Sequence, residues 1–166
     1  MKTLVELKQE VLSEYDERVI ALAQHLELDI DFEEEDFAIQ PDEKLSEEEI
    51  AEVEKEKQEA LDEAINDFRN ELDNIVEDYD NRFSYHNKEF LVLTDSEADE
   101  EEDRQLDNYL EECIYPELPE NVRYYFDDEK WKRDARMDGR GHIISSYDGA
   151  EYEEKVNDTW YYIYRV

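Results

Sequence analysis

A large excess of negative charge constrains this chain more than any other feature. Of its 166 residues, 52 are Asp or Glu and 18 are Lys or Arg, so the formal charge at pH 7 is -34. Repulsion among like charges destabilises a compact state. Any fold must therefore keep most carboxylates in water and bury a modest core on one face of each helix or strand.

The apolar content is just sufficient for a folded core. Leu, Ile, Val and Phe make up 39 of the 166 residues, slightly above the roughly 20% below which highly charged chains are usually disordered. Twelve Tyr and two Trp add large apolar surfaces with polar ends. The length corresponds to a single domain, with room for a helical extension.

Several classes of protein are excluded on the same grounds. A single cysteine, Cys113, cannot form an intrachain disulfide, and five acids in the first twenty residues do not fit a signal peptide. No apolar run approaches the ~18 residues of a membrane span. Direct nucleic-acid binding is disfavoured because it depends on Lys and Arg. We expect a cytoplasmic protein without membrane contact, whose partner is basic.

The charge divides the chain into two parts. The first 122 residues carry -32 of the net charge, and the last 44 residues carry only -2. Combining this with the apolar patterns, we expect an acidic helical region at residues 1–84 and a small α+β module at residues 85–166.

Helical periodicity dominates the first region. Apolar residues at steps of three and four, from Leu4 to Leu26, predict one helix of about six turns. Residues 28–32 alternate as a short strand would, and a loop with a break at Pro41 follows. Ser46 and Glu49 form a capping box that predicts a helix start.

A long helix is predicted at residues 47–84, which contain no Pro or Gly. At 1.5 Å per residue it would span about 57 Å, too long to be buried in a small domain. Its apolar seam, residues 61–79, is expected to pair with the first helix as a helical hairpin or with a second copy as a coiled-coil-like homodimer. A partly exposed single helix is the alternative.

Residues 85–166 are predicted to form short strands and short helices. Residues 83–85 and 89–93 predict a β-hairpin with Asn87 in the turn, and Thr94 with Glu97 predicts another capped helix, ending near Pro116. Short helices are predicted at 119–126 and 128–137, and antiparallel strands at 142–146 and 159–166, around Asp148 and Gly149. The predicted fold class is α+β: long acidic helices followed by a small mixed module with short antiparallel strands.

No motif indicates catalysis. The sequence contains no metalloprotease, dinucleotide-binding, phosphate-loop or serine-hydrolase signature, and it has only three histidines. Its acidic runs do not match a calcium-binding loop. We therefore expect no enzyme, no cofactor and no metal site. The bases at 130–140 resemble a nucleic-acid patch when taken alone, but in so acidic a chain we expect them to pair with acids of this chain or of a second subunit.

The spacing of the acids is the informative pattern. Residues 47–84 contain 15 acids, about one per 3.8 Å of predicted helix, and one strand of B-DNA carries a phosphate every ~3.4 Å. Acids could serve only to keep a long helix soluble. However, a small soluble domain usually has a net charge of only about 2 to 8 in magnitude, and this chain has -34. The predicted partner-binding acids are Glu59, Asp62, Glu63, Asp67, Asp73, Glu77, Asp78, Asp80, Asp99, Glu100, Glu101, Glu102 and Asp103.

The last 48 residues resemble a known family. The matching features are Leu118-Pro119-Glu120, Tyr124-Tyr125-Phe126-Asp127, Trp131, Arg133-Asp134, Gly139 and the closing segment 160–164. They are similar to the C-terminal end of ArdA-type antirestriction proteins and related small acidic proteins of phages and mobile elements. The resemblance implies a DNA mimic, usually a dimer, that occupies the DNA cleft of a defence nuclease in a bacterial host cell. Residues 1–84 do not resemble that family.

The acid spacing predicts a nucleic-acid mimic, and the resemblance implies that it inhibits a host restriction enzyme or CRISPR effector by occupying the basic DNA-binding cleft. An acidic chaperone or adaptor for a basic phage or host protein is an alternative, and a structural virion protein is another. Competition separates the first two, because duplex DNA should displace a mimic and need not displace an adaptor.

Overall fold

A computed structural model describes residues 2–39 and 45–166. Its seven α-helices are α1 Leu4–Leu12, α2 Glu17–His25, α3 Glu47–Asp73, α4 Asp95–Tyr109, α5 Glu120–Arg123, α6 Asp128–Arg136 and α7 Arg140–Ile144. Its strands are β1 Val76–Glu77, β2 Arg82–Tyr85, β3 Lys88–Leu93, β4 Tyr152–Val156 and β5 Thr159–Arg165. Short 3-10 turns lie at Glu34–Phe37 and Tyr115–Glu117, and a π-helical turn at Leu110–Ile114. The predicted α+β class is confirmed.

The five strands form one antiparallel sheet in the order β1-β2-β3-β5-β4. Val92 of β3 pairs with Ile163 of β5, and Leu91 pairs with Tyr164. Because alternate residues of a strand point to opposite faces, these two pairs supply the two sides of the sheet.

Helices cover both faces of the sheet. On one face α1, α2 and α3 bury a core that includes Leu22, Phe68, Phe83, Val92 and Ile163. On the other face α4 and α7 cover a smaller core, with Leu91, Leu93, Ala98, Ile144 and Tyr164. The predicted boundary between residues 84 and 85 falls inside β2, and the larger core takes side chains from both sides of it.

The single helix predicted from Leu4 to Leu26 is wrong, because the structure has two helices there. The chain leaves α1 at Ser13, and Asp16 caps α2 by accepting a hydrogen bond from the Arg18 amide at 2.9 Å. The apolar rhythm continues across the break since both helices pack on the same core. Residues 28–32 do not form a strand, although Ile30 is buried, and the predicted break at Pro41 lies outside the described residues.

The long helix predicted to reach residue 84 ends at Asp73, and is about 40 Å long. Beyond it the chain reverses through Asp80 and Asn81, whose φ angles are 47° and 61°. Asp and Asn tolerate this left-handed conformation better than other residues. The turn allows Phe83, fully buried, to enter the sheet in β2. The sequence does not predict this turn because the segment contains neither Gly nor Pro, the usual markers of a helix end.

The second region is close to its prediction, with one error. The hairpin of β2 and β3, the helix after Thr94 and the final strand β5 are confirmed. Residues 142–146 were expected to be a strand, but most of them belong to α7, and the last hairpin turns at Asn157. Gly141 lies in α7, and a Cβ there would be 2.7 Å from the backbone of Ala150, so this helix packs directly against the loop before β4.

One ion pair joins the two helical layers. The Arg18 guanidinium of α2 donates to both Glu97 oxygens of α4 at 2.8 Å, and Glu97 also accepts the Thr94 amide at 2.8 Å. The hydrogen bonds from Arg18, followed by that from Thr94, lower the pKa of Glu97 despite its partial burial. Glu97 is therefore a stabilising group only while it is ionised.

This pair predicts a pH-dependent stability. Because the folded pKa lies below the unfolded value of about 4.3, the contribution of Glu97 is present above that pH and is lost as the pH falls through the folded pKa. We expect Glu97→Gln to lower the free energy of unfolding by about 1 kcal/mol at pH 7, with the difference shrinking below about pH 4. Urea unfolding followed by circular dichroism at several pH values measures this. The exposed Glu100→Gln is the control, and a difference that does not change with pH would contradict the assignment.

Candidate partner-binding surface

Helix α3 concentrates the negative charge of the molecule. Twelve of its 27 residues are Asp or Glu and three are Lys or Arg. Its start is capped as predicted, with the Ser46 amide donating to Glu49 at 2.7 Å and the Glu49 amide donating to the Ser46 hydroxyl at 3.3 Å. Only Phe68 and Leu72 are buried. The helix is therefore anchored near its C-terminal end and presents most of its length to solvent.

Three polar contacts fix the anchored end of α3. The Tyr15 hydroxyl donates to Asp73 at 2.8 Å, and the Tyr85 hydroxyl donates to Glu71 at 2.6 Å. Arg69 forms an ion pair at 2.8 Å with Glu14, which lies between α1 and α2. Burial, together with the neighbouring carboxylate, raises the pKa of both tyrosines to about 12. Both hydroxyls therefore stay protonated and hold the helix in place as donors at neutral pH.

The exposed acids of α3 are mostly free. Glu59 lies 3.5 Å from Lys55 on the same helix, and Asp62 accepts a hydrogen bond from Gln58 at 2.8 Å. Glu63 and Asp67 have no ion-pair partner within the described residues. Surface pairs such as Glu59 with Lys55 contribute little energy and open easily. These four predicted residues thus remain available to a partner.

Two of them help to form a groove that the sequence did not reveal, here called the α3 groove. It has a volume of about 350 Å³, and its polar lining consists of five carboxylates without a basic residue. Those carboxylates belong to Asp29, Asp31, Glu63, Asp67 and Glu71. The floor includes the ring of Phe68 and the methyl groups of two alanines. This groove fits a basic side chain with an aliphatic stem.

Hydrogen bonds favour the ionised form of two groove acids. Hydrogen bonds from Tyr85 and then His86 lower the pKa of Glu71. Burial raises the pKa of Asp29, but hydrogen bonds from Lys8 and from the Ile30 amide outweigh it, so the net shift is downward. Lys8 lies 3.0 Å from Asp29 at the edge of the groove. The hydrogen bonds that the fold provides therefore keep Glu71 and Asp29 negatively charged at neutral pH.

The predicted acids of α4 are largely used inside the chain. Three basic residues hold them: Arg140 contacts Asp99 at 2.9 Å, Arg136 contacts Asp103 at 2.6 Å, and Lys132 contacts Asp103 at 3.2 Å. The sequence predicted that the bases at 130–140 pair with acids of this chain or of a second subunit, and these three pair within the chain; Arg133 lies 3.8 Å from its neighbour Asp134, and Lys130 has no ion pair among the described residues. Asp99 and Asp103 are consequently less available than the acids of α3.

Two further α4 acids are also engaged. Glu102 is only 6% exposed, and burial raises its pKa, although Arg136 lies 3.6 Å away. Glu101 accepts hydrogen bonds from Arg104 at 2.9 Å and Gln105 at 2.9 Å. Glu100 alone among the five is exposed without a charged partner in the described part of the chain.

The remaining predicted acids lie elsewhere on the surface. Asp80, Glu100 and Glu101 meet at a groove of about 590 Å³ between β2 and α4, where Arg82 and Arg104 balance part of their charge. Glu77 is exposed on the edge strand β1, and Asp78 follows it. The structure therefore does not place all thirteen predicted acids on one continuous line.

Sequence reasoning missed Asp29, Asp31 and Glu71 as members of the acidic surface. The signal was present in the alternation at residues 28–32, where Ile30 is buried and the two aspartates on either side of it are exposed. Alternation of this kind predicts a strand. The same pattern, without strand pairing, turns both carboxylates toward α3.

Across residues 2–39 and 45–166, no helix is long and apolar enough to cross a membrane, and no group of three or more His, Cys, Asp or Glu side chains is arranged to hold a metal ion. No protein-family model matches the chain, and neither a curated protein nor a solved structure shows significant similarity to it.

Proposed function

We propose that this protein is a non-enzymatic inhibitor that imitates the charge of duplex nucleic acid and occupies the basic DNA-binding cleft of a host defence protein, a restriction enzyme or a CRISPR effector. The α3 surface, comprising the exposed acids of α3 and the α3 groove, makes the principal contact. The inhibitor would act where that enzyme acts, in the bacterial cytoplasm.

One observation carries this proposal. The twelve acids of α3 are spread over a helix about 40 Å long, which is one carboxylate per ~3.4 Å. That linear density equals the phosphate spacing along one strand of B-DNA. Glu71 and Asp73 accept hydrogen bonds from tyrosines at the anchored end, so the other ten acids are the charges that a basic cleft would meet on this helix.

The anchoring of α3 supports the same proposal. A mimic must present its charges in a rigid array, since a flexible chain loses entropy when it is ordered by binding. Phe68 and Leu72 in the core, with the contacts to Tyr15 and Tyr85, hold the helix against the sheet. The internal pairing of the α4 acids leaves α3 as the most strongly negative element.

The resemblance of residues 119–166 to ArdA-type proteins supports a defence nuclease as the target. In that family the mimic is usually a dimer, and a homodimer of this chain would double the length of the acidic surface. Electrostatic steering would make association fast at low salt and weaker at high salt.

A competition assay tests the proposal. Purified type I restriction enzyme and purified Cas9-type effector would each be assayed for DNA cleavage with increasing amounts of this protein, at two salt concentrations. We expect inhibition of at least one enzyme, relieved by excess duplex DNA that lacks the recognition sequence and weakened by salt. Absence of inhibition across both enzyme classes would contradict the proposal in this form.

An acidic adaptor for a basic phage or host protein is the second candidate. The exposed rings of Tyr124 and Tyr125 favour it, because aromatic anchors are typical of specific protein contacts. An adaptor would bind its basic partner without inhibiting cleavage, and duplex DNA would not displace it. The same assay separates the two functions.

A further inference from the structure

Tyr124 and Tyr125 are the most exposed aromatic side chains in the described chain, at 88% and 82%. They follow helix α5, and their rings meet edge to face with centroids 5.4 Å apart. Neither hydroxyl makes a hydrogen bond to another described residue, and Val122 beside them is also exposed. The core does not require these rings, so their exposure indicates a contact surface.

The chain itself shows which group packs on such rings. Arginine lies over tyrosine at five places in the structure, among them Arg123 over Tyr115 at 4.2 Å and Arg140 over Tyr162 at 4.5 Å. In contrast, no cation of the described residues lies over Tyr124 or Tyr125. Apart from the one ring face that the edge of the other ring meets, their π faces remain open to a cation from outside.

The charge around the pair favours the same occupant. Residues 110–128 contain six acids and one base, Arg123, whose guanidinium lies over the Tyr115 ring. Glu117 and Glu120 are exposed, with no ion pair to any residue the structure describes. Arginine suits this surface better than lysine because its planar, weakly hydrated guanidinium stacks on aromatic rings and binds carboxylates through two hydrogen bonds.

We propose that Tyr124 and Tyr125, with Glu117 and Glu120, form a docking surface for arginine side chains of the protein partner. The inference rests on the proposed function in taking the partner to be basic, and it adds the residue type that is recognised. The α3 surface supplies long-range attraction, whereas the tyrosine pair supplies a short-range contact that salt weakens less.

The test compares octa-arginine with octa-lysine, two peptides of equal charge, by calorimetric titration of the full chain at about 0.15 M salt. We expect the wild type to prefer octa-arginine. Replacing both tyrosines by leucine keeps apolar bulk but removes the rings, so the preference should fall by about two- to fivefold per ring. The Tyr124→Phe, Tyr125→Phe variant keeps the rings and should retain it.

A second control separates the two surfaces. Amide substitutions in α3 should weaken the binding of both peptides, and the leucine substitutions should still lower the octa-arginine preference in that background as they do in the wild type. The proposal is overturned if the leucine variant keeps the wild-type preference. It is also overturned if the leucine substitutions change the oligomeric state of the protein in solution, since the surface would then join two copies of this chain. The proposed function is tested separately by the cleavage assay. If the protein does not inhibit a nuclease, the proposed function fails, whichever peptide the protein prefers.

Discussion

Replacing five acids of α3 by amides is expected to abolish most of the inhibition in the cleavage assay. The variant carries Glu56→Gln, Glu59→Gln, Asp62→Asn, Glu63→Gln and Asp67→Asn, all at exposed positions. Exposed ion pairs contribute about 0.2–1 kcal/mol each, so five together should weaken binding by about 1–5 kcal/mol, roughly fivefold to several thousandfold. Any one substitution alone should have a small effect because the charge is distributed.

The control must lose the same charge from another part of the surface. Glu27→Gln, Asp134→Asn, Asp138→Asn, Glu153→Gln and Asp158→Asn are also exposed and lie outside α3 and α4. Both variants have a formal charge of -29 instead of -34. If the two variants inhibit equally, total charge matters and the α3 surface is not the contact. Full inhibition by the α3 variant would refute mimicry by this helix.

Loss of Arg140 is expected to have the largest effect on stability among the charged residues. Its guanidinium contacts Asp95 at 2.8 Å, Asp99 at 2.9 Å and Glu151 at 2.9 Å, and it lies over the Tyr162 ring. Its side chain is only 16% exposed. Removing it would leave several carboxylates close together without a counter-charge.

We expect Arg140→Met to lower the free energy of unfolding by about 3 kcal/mol, since breaking a largely buried pair typically costs 3–5 kcal/mol and part of this cluster is exposed. Urea unfolding monitored by tryptophan fluorescence measures the change. Arg133→Met is the matched control, because Arg133 is 72% exposed and its one ion pair among the described residues is with Asp134, at 3.8 Å. Its effect should stay within about 0.5 kcal/mol. Equal effects of the two substitutions would contradict the role given to Arg140.

The cluster around Arg140 also explains how so acidic a chain folds. Three bases from α6 and α7 neutralise acids of α4 where that helix packs over the sheet. The remaining carboxylates, above all those of α3, stay in water. The base-rich end of the chain therefore neutralises acids of α4, whereas none of its bases pairs with an acid of α3 among the described residues.

Local signals in the sequence were sufficient for several elements. Capping residues at Ser46 and Thr94 marked two helix starts, and the alternation around Asn87 marked the hairpin. These signals depend on backbone groups a few residues apart, so they do not require knowledge of the fold. The net charge predicted that the bases near Arg140 pair with acids of this chain or of a second subunit, and the structure shows Arg140, Arg136 and Lys132 paired within the chain.

Helix ends and helix breaks were not predictable in the same way. The apolar rhythm runs through Asp16, yet the chain forms two helices there, and it runs past Asp73, where α3 stops. In both places the apolar side chains keep their spacing because they join one core, whatever local backbone connects them. Periodicity reports which residues are buried and is a weaker guide to the backbone between them.

The sequence by itself determined the class of fold and the excess of negative charge from which a basic partner is proposed. Only the tertiary structure decided which acids remain free. Residues 29 and 31 join α3 in one acidic groove, whereas Asp99 and Asp103 are held by bases more than 25 positions away. The physical reason is that the sign of a charge is a property of the residue, whereas its availability depends on neighbours that folding brings together.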